Sequence, residues 1–132
     1  MSKTALTAAN IKYLLTLHEL DTDGNGIRCV DVAGRLGVRK PSVHTMMSKL
    51  GKLGLTTNEK YGAVRLTDAG SLLASQYAKA FCVLLGKLEG IPGLPTEDCR
   101  NAVFRLLAQT SEEGVAELIR QYLPPPQAAA RA

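Results

Sequence analysis

The chain has few of the residues that mark several common functional classes. It contains no tryptophan, 2 histidines and 3 cysteines in 132 residues. Two histidines exclude a histidine-rich metal site, and an odd number of widely spaced cysteines is not typical of a disulfide framework. We expect Cys29, Cys82 and Cys99 to be small buried hydrophobic residues. A redox or metal-binding role for Cys82 or Cys99 is the alternative.

Long apolar runs and catalytic sets are also missing. No segment approaches the ~20 apolar residues of a membrane-spanning helix, and the start of the chain lacks a secretory signal pattern. We therefore expect a cytoplasmic protein that does not bind membranes. The sequence has no Ser/His/Asp arrangement, no glycine-rich phosphate loop and no carboxylate pair in a plausible pocket. An enzyme is disfavoured, and we predict no cofactor and no bound metal.

Positive charge is concentrated in the first half of the chain. Residues 1–66 contain ten Lys/Arg and five Asp/Glu, whereas residues 67–132 contain six and seven. Between residues 35 and 65, seven basic residues are opposed by Glu59 alone. This distribution is typical of a face that binds a polyanion such as nucleic acid. A run of charge is also compatible with an ordinary solvated surface.

The hydrophobic pattern and the turn residues predict six helices with short strands between them. The predicted helices cover residues 7–20, 30–36, 40–53, 67–86, 96–109 and 111–122, and the predicted strands cover 27–29, 55–57 and 63–66. This order is that of a winged helix-turn-helix. The predicted fold class is therefore mostly α, with three helices and a small β-wing followed by a helical dimerisation region. We predict domains at 1–66 and 67–123 and a disordered tail at 124–132.

The two longest helices after the wing have pronounced apolar stripes. The apolar positions on the first are Leu72, Leu73, Tyr77, Ala80, Phe81, Leu84 and Leu85, and those on the second are Val103, Phe104, Leu106 and Leu107. A closed core is the plainer interpretation of these stripes. A pocket for a small apolar effector, lined by Phe81, Leu85, Phe104 and Leu107, is the alternative.

The candidate functional residues lie in and around the helix-turn-helix. The second of its helices should be held against the first by Val43, Met46, Met47 and Leu50. It should leave short polar side chains outward, where they could reach base edges in the major groove. The candidates for phosphate contact are Lys40, Lys49, Lys52, Lys60 on the wing, and Arg65. The winged-helix scaffold also permits a purely protein-binding role.

Three motifs carry a resemblance to a known family: DVAGRLGVRKPSVHTMMSKLGKLGL in the helix-turn-helix, VRLTDAG at the end of the wing, and LEGIPGLPTEDCR after the long helix. Residues 6–122 resemble the diphtheria toxin repressor and manganese repressor family of metal-dependent bacterial regulators, in a short form without the SH3-like domain. The resemblance implies a homodimer on double-stranded DNA. It places the base- and phosphate-contacting residues at Arg39, Pro41, Ser42, His44 and Thr45.

The positions that the resemblance assigns to metal ligands depart from the family pattern. They carry Ala9, Lys12, Phe81, Phe104, Leu107 and Ala108. Apart from lysine, which is protonated, none has a side chain that could donate to a metal ion. We expect these positions to be filled by hydrophobic packing, so that manganese or iron does not activate the protein there.

The sequence thus predicts a sequence-specific DNA-binding transcriptional regulator, a repressor that acts as a homodimer without metal at the usual family site. The alternative is a winged-helix protein-interaction module with little affinity for DNA. An unknown small-molecule effector is compatible with the first prediction.

Overall fold

The computed structural model describes residues 6–22, 24, 26–58 and 63–122. Within these residues the chain forms, in order, α1 (Ala8–Leu20), β1 (Ile27–Arg28), α2 (Cys29–Leu36), α3 (Lys40–Lys52), β2 (Thr56–Asn58), β3 (Ala63–Leu66), α4 (Asp68–Glu89), α5 (Thr96–Gln109) and α6 (Glu112–Tyr122). The predicted class, a winged helix-turn-helix followed by helices, is confirmed. None of the described helices is long and apolar enough to cross a membrane.

The chain divides into two compact units, Met1–Ser75 and Gln76–Ala132. The first contains the helix-turn-helix and an antiparallel sheet with strand order β1-β3-β2. Ile27 pairs with Val64, and Thr56 pairs with Leu66. β3 therefore lies in the middle of the sheet, and its buried Val64 contributes to the core beneath α1, α2 and α3.

The start of α1 is fixed by a reciprocal cap. The Asn10 backbone N–H donates to Thr7 Oγ1, and the Thr7 backbone N–H donates to Asn10 Oδ1, each at 3.0 Å. This arrangement satisfies donors that a helix N-terminus otherwise leaves unpaired. The Asn10 side-chain amide also lies 3.1 Å from the sulfur of Met46. One buried side chain thus both caps α1 and contacts α3.

The turn between α2 and α3 depends on Gly37. Its φ of 68° lies in the left-handed region, which a glycine adopts without strain. The N–H groups of Gly37 and Val38 both donate to the carbonyl of Ala33, and this closes the end of α2. Pro41 lies in the first turn of α3, where a missing N–H costs little.

The segment Leu66–Gly70 joins the wing to α4. The Thr67 hydroxyl donates to the Gly54 carbonyl at 2.7 Å and accepts the Gly70 N–H at 3.0 Å. A Cβ on Gly70 would lie 2.0 Å from the carbonyl oxygen of Leu55. The close passage of backbone over backbone explains why this motif needs a threonine and a glycine at these two positions.

The second unit contains the rest of α4 together with α5 and α6. Its buried residues are Tyr77, Ala80, Phe81, Cys99, Val103, Phe104, Leu107 and Val115. The Ser111 hydroxyl accepts the Gly114 N–H at 2.9 Å and so caps the start of α6.

Several details of the sequence prediction were wrong. The side chains of Leu72 and Leu106 are 64% and 46% exposed, although we expected both on apolar stripes. Each lies at the edge of a stripe whose central positions suffice for packing. Cys82 is exposed rather than buried, whereas Cys29 and Cys99 are buried as expected. α4 continues to Glu89, beyond the predicted end at residue 86. The predicted tail at 124–132 lies outside the described residues.

Candidate nucleic-acid interface

The exposed surface of α3 is the candidate interface. Val43, Met47 and Leu50 are at most 1% exposed and hold one side of the helix against the core. The opposite side is formed by exposed residues: Pro41, Ser42, His44, Thr45, Ser48 and Lys49. The spacing of both sets follows the helical period. Most of the exposed side chains are short, so the helix surface itself could approach a groove closely.

Thr45 lies in the middle of this surface. Its hydroxyl donates to the backbone carbonyl of Pro41 at 3.0 Å, one helical turn earlier. A hydroxyl has a single proton, so the oxygen of Thr45 is left with acceptor capacity alone. The neighbours of Thr45 on the same side of the helix are Pro41, Ser42, Ser48 and Lys49, and all four are exposed.

Cationic side chains surround the exposed surface of α3. Arg39 and Lys40 lie at its N-terminal end, and Lys49 and Lys52 lie in its last turns; all four are exposed. The N-cap residue of the helix is Arg39, whose side chain makes no capping hydrogen bond. Positive charge is therefore present at both ends of the surface, where a phosphate backbone would pass on either side of a groove. Lys60, the predicted wing contact, lies outside the described residues.

Arg65 projects from the central strand β3 and has a partner within the protein. Its guanidinium donates to the carbonyl of Gly24, in the turn between α1 and β1. This contact joins the wing strand to a segment 41 residues earlier. Because a guanidinium has five donors, a phosphate contact is compatible with this bond, but Arg65 also has a structural role that the sequence did not indicate.

In the second unit, two aromatic rings pack together in the region that the sequence offered as a possible effector pocket. The ring centroids of Phe81 and Phe104 lie 4.8 Å apart with an interplanar angle of 31°. The guanidinium of Arg100 lies 5.1 Å from the centre of the Phe81 ring. Leu107 is 1% exposed and Leu85 is half-buried. The direct contact of the two rings supports the closed-core interpretation of this region.

Residues 5–64 match the family model described as iron dependent repressor, N-terminal DNA binding domain. Over these residues the chain is similar to the DNA-binding domain of iron-dependent repressors. The match covers the helix-turn-helix and the wing up to β3, and the candidate surface on α3 lies within it. The resemblance inferred from the three sequence motifs is thus confirmed.

Solved structures show the same fold over most of the chain. A hypothetical protein from Sulfolobus solfataricus has 23% identity and a TM-score of 0.63, covering 91% of this chain and 92% of its own. The manganese regulator SloR has 22% identity and a TM-score of 0.69, covering 88% of this chain and 54% of its own. The apo form of the manganese-activated repressor ScaR has 29% identity and a TM-score of 0.57, covering 86% of this chain and 54% of its own.

The chain therefore spans about half the length of SloR and ScaR but nearly all of the Sulfolobus protein. No curated protein sequence shows significant similarity to the chain. The family model and the manganese-activated repressor ScaR are both of the DNA-binding repressor type.

At the positions that the resemblance assigns to metal ligands, the side chains present do not fit a metal ion. Phe81 and Phe104 contact each other through their rings, and Leu107 is buried. Ala9 is exposed and Lys12 is half-buried. Across the part of the chain that the structure describes, no group of three or more His, Cys, Asp and Glu side chains could hold a metal. Phenyl rings and alkyl side chains supply no donor atoms.

Two contacts that shape the candidate interface could not be found from the sequence. The Asn10–Met46 contact joins residues 36 positions apart, and the Arg65–Gly24 bond joins residues 41 apart. Neither has a local pattern that would identify it. The apolar spacing of α3, in contrast, was enough to separate its buried side from its exposed side.

Proposed function

We propose that this protein is a sequence-specific DNA-binding transcriptional repressor that acts as a homodimer. The observation that carries the proposal is the exposed surface of α3, with short polar side chains in the middle and cations at both ends. Its place in a matched repressor-type DNA-binding domain makes DNA the favoured ligand. The rival function, a protein-interaction module, does not require cations at both ends of the same surface.

In the proposed complex α3 enters the major groove. Arg39, Pro41, Ser42, His44 and Thr45 set its register and read bases, as the family resemblance implies. Phosphates are contacted by Lys40, Lys49, Lys52, Lys60 and Arg65. Residues 1–66 act as the DNA-binding domain and residues 67–123 as the dimerisation domain. A two-fold dimer would place two such helices in successive major grooves of a near-palindromic site.

The test is fluorescence-anisotropy binding to duplexes tiled across the DNA upstream of the protein's own gene, at two salt concentrations. Each neutralised phosphate should contribute a slope of about −0.9 in log K against log salt. Lys49→Ala should weaken binding to all duplexes and lower the magnitude of this slope by about one phosphate's share. Lys79→Ala, an exposed lysine of α4 in the second unit, is the matched control and should leave both unchanged.

Absence of salt-dependent binding to every duplex would contradict the proposal and favour the protein-interaction module. The oligomeric state is measured separately by sedimentation. A monomer that still binds one half-site would contradict the dimer but keep the DNA-binding function.

We also propose that DNA binding does not depend on manganese or iron at the family's usual site. The support comes from the packed Phe81 and Phe104 rings and the absence of donor side chains at the corresponding positions. The same titrations in chelator, in manganese and in iron(II) should give equal affinities. Binding that requires added metal would overturn this part of the proposal alone.

A further inference from the structure

We infer that Thr45 contributes to sequence recognition through its methyl group, by apolar contact with the C5-methyl of a thymine. This inference rests on the proposed DNA-binding function and assigns a specific chemistry to one residue. The starting observation is the 3.0 Å bond from the Thr45 hydroxyl to the Pro41 carbonyl.

The bond determines what Thr45 presents to a ligand. A threonine hydroxyl that donates to the carbonyl one turn earlier is held against its own helix. Oγ1 and Cγ2 are attached to the same Cβ, so turning the oxygen towards Pro41 turns the methyl away from that carbonyl. The part of the side chain that extends beyond the helix backbone is then apolar.

The same geometry weakens the hydroxyl as a reader of bases. The guanine O6 and N7, the adenine N7 and the thymine O4 are all acceptors and need a donor from the protein. The Thr45 oxygen keeps acceptor capacity for the amino groups of adenine and cytosine alone. The Thr45 proton is already used within α3. The thymine methyl is the apolar feature of the major groove, and threonine methyl groups are among the side-chain groups that pack against it.

The surroundings of Thr45 leave its methyl accessible. Pro41 and Ser42 precede it and Ser48 follows it on the same side of α3, and each is small and exposed. No long side chain among these three would keep a base edge away from the methyl. Lys49 is long, but its flexible stem allows the ammonium group to reach a phosphate instead.

The same type of bond occurs elsewhere in the chain and supplies a control. The Thr110 hydroxyl donates to the carbonyl of Leu106 at 2.6 Å, at the end of α5 in the second unit. Replacing Thr110 by valine removes its hydroxyl, and replacing it by serine removes its methyl, at a position far along the sequence from α3. Any general effect of losing the hydroxyl or the methyl on a helix will therefore be seen at Thr110 as well.

The test compares Thr45→Val, which keeps a methyl in place and removes the hydroxyl, with Thr45→Ser, which keeps the hydroxyl and removes the methyl. The probe is a duplex that the wild-type protein selects from a random pool, together with copies in which each thymine in turn is replaced by uracil. Affinities are measured relative to a random duplex. Thr110→Val and Thr110→Ser are measured in parallel.

We expect Thr45→Val to bind the selected duplex as the wild type does. Thr45→Ser should lose about fourfold in relative affinity per half-site, the effect expected for one buried methyl-sized group. At one thymine per half-site, uracil should cause a similar loss for the wild type and for Thr45→Val but no further loss for Thr45→Ser. The Thr110 variants should not change relative affinity.

The inference is overturned if Thr45→Ser matches the wild type while Thr45→Val loses selectivity, because the hydroxyl would then carry recognition. It is also overturned if no uracil position distinguishes Thr45→Ser from the wild type. If the wild type selects no sequence from the pool, the proposed function itself fails. If the wild type does select a sequence but its affinity shows no dependence on both the Thr45 methyl and a thymine methyl, the proposed function stands and only this inference fails.

Discussion

The two units of the chain are stabilised in different ways. In the first, particular backbone and side-chain bonds fix the geometry: the Thr67 hydroxyl bridges Gly54 and Gly70, and Gly37 shapes the turn before α3. In the second, the Phe81 and Phe104 rings pack directly, and α6 begins with one serine cap. The unit that carries the candidate interface is thus the one with the more closely specified backbone.

This difference explains why the two units restrict their residues to different degrees. A surface that must enter a groove tolerates little displacement, so the turns that position it are restricted to particular residues. Helices that associate through apolar side chains tolerate replacement as long as volume and patterning are kept. The positions that the resemblance assigns to metal ligands in the second unit can therefore carry phenylalanine and leucine without loss of the helices that contain them.

The largest effect is expected from the aromatic contact in the second unit. Phe104→Ala should lower the free energy of unfolding by about 4 kcal/mol, because it removes a buried ring and leaves a cavity. Leu106→Ala is the control on the same helix, and at 46% exposure it should cost much less. Chemical denaturation in the presence of chelator measures both. Equal costs for the two variants would show that the rings do not form a core.

A smaller but still large effect is expected at the crossing of α4 over the wing connection. Gly70→Ala should destabilise the protein by about 2–3 kcal/mol, because its Cβ would lie 2.0 Å from the Leu55 oxygen and the backbone must shift. Gly86→Ala, in the same helix, meets nothing within 4 Å and should be neutral or stabilising by up to about 1 kcal/mol. Thermal unfolding of both variants tests the comparison, and a Gly70 variant as stable as the wild type would refute the close passage.

The two caps should also differ between the units. The Thr67 hydroxyl makes two bonds and the Ser111 hydroxyl accepts one, so Thr67→Ala should cost about 1–2 kcal/mol and Ser111→Ala about half as much. Thr67→Ser keeps the hydroxyl and should recover most of the loss. Urea denaturation of the three variants is the measurement. If Ser111→Ala were the more damaging change, the difference proposed between the units would be reversed.

The smallest expected effect is a loss of stability at alkaline pH. Burial raises the pKa of Tyr13 in the first unit, and burial together with the nearby Glu112 raises the pKa of Tyr77 in the second. The folded state then keeps a proton that the unfolded state releases near pH about 10. The contribution is complete below that pH and declines as pH rises from there towards the folded pKa values. The unfolding free energy should therefore fall less steeply with pH in Tyr77→Phe than in Tyr13→Phe. Identical pH profiles for the two variants would contradict the added effect of Glu112.

The sequence predicted most of the local structure because its signals are local. Thr7, Gly37, Pro41 and Ser111 occur at the helix ends and turns where their backbone preferences or hydroxyl groups are needed. The buried side of α3 followed from its apolar spacing. These residues were sufficient to predict the winged helix and the exposed surface of α3.

The features that the sequence did not reveal depend on tertiary contacts. The Arg65 bond to Gly24 and the Asn10 contact with Met46 connect distant segments. The exposure of Leu72, Leu106 and Cys82 depends on how wide a strip of each helix the packing covers, and periodicity alone does not give that width. The Thr45 side chain lies on the exposed side of α3, as expected, but the spacing did not indicate that its hydroxyl proton is donated back to the helix.

The reactivity of the three cysteine thiols can be used to measure local unfolding of the two units. Cys82 is exposed, so a thiol reagent should modify it in the native state. Cys29 is buried in the first unit and Cys99 in the second, and each should react only when its surroundings open. The rates at which the second and third thiols react would then give separate opening free energies for the two units, in the unmodified sequence and in a single experiment.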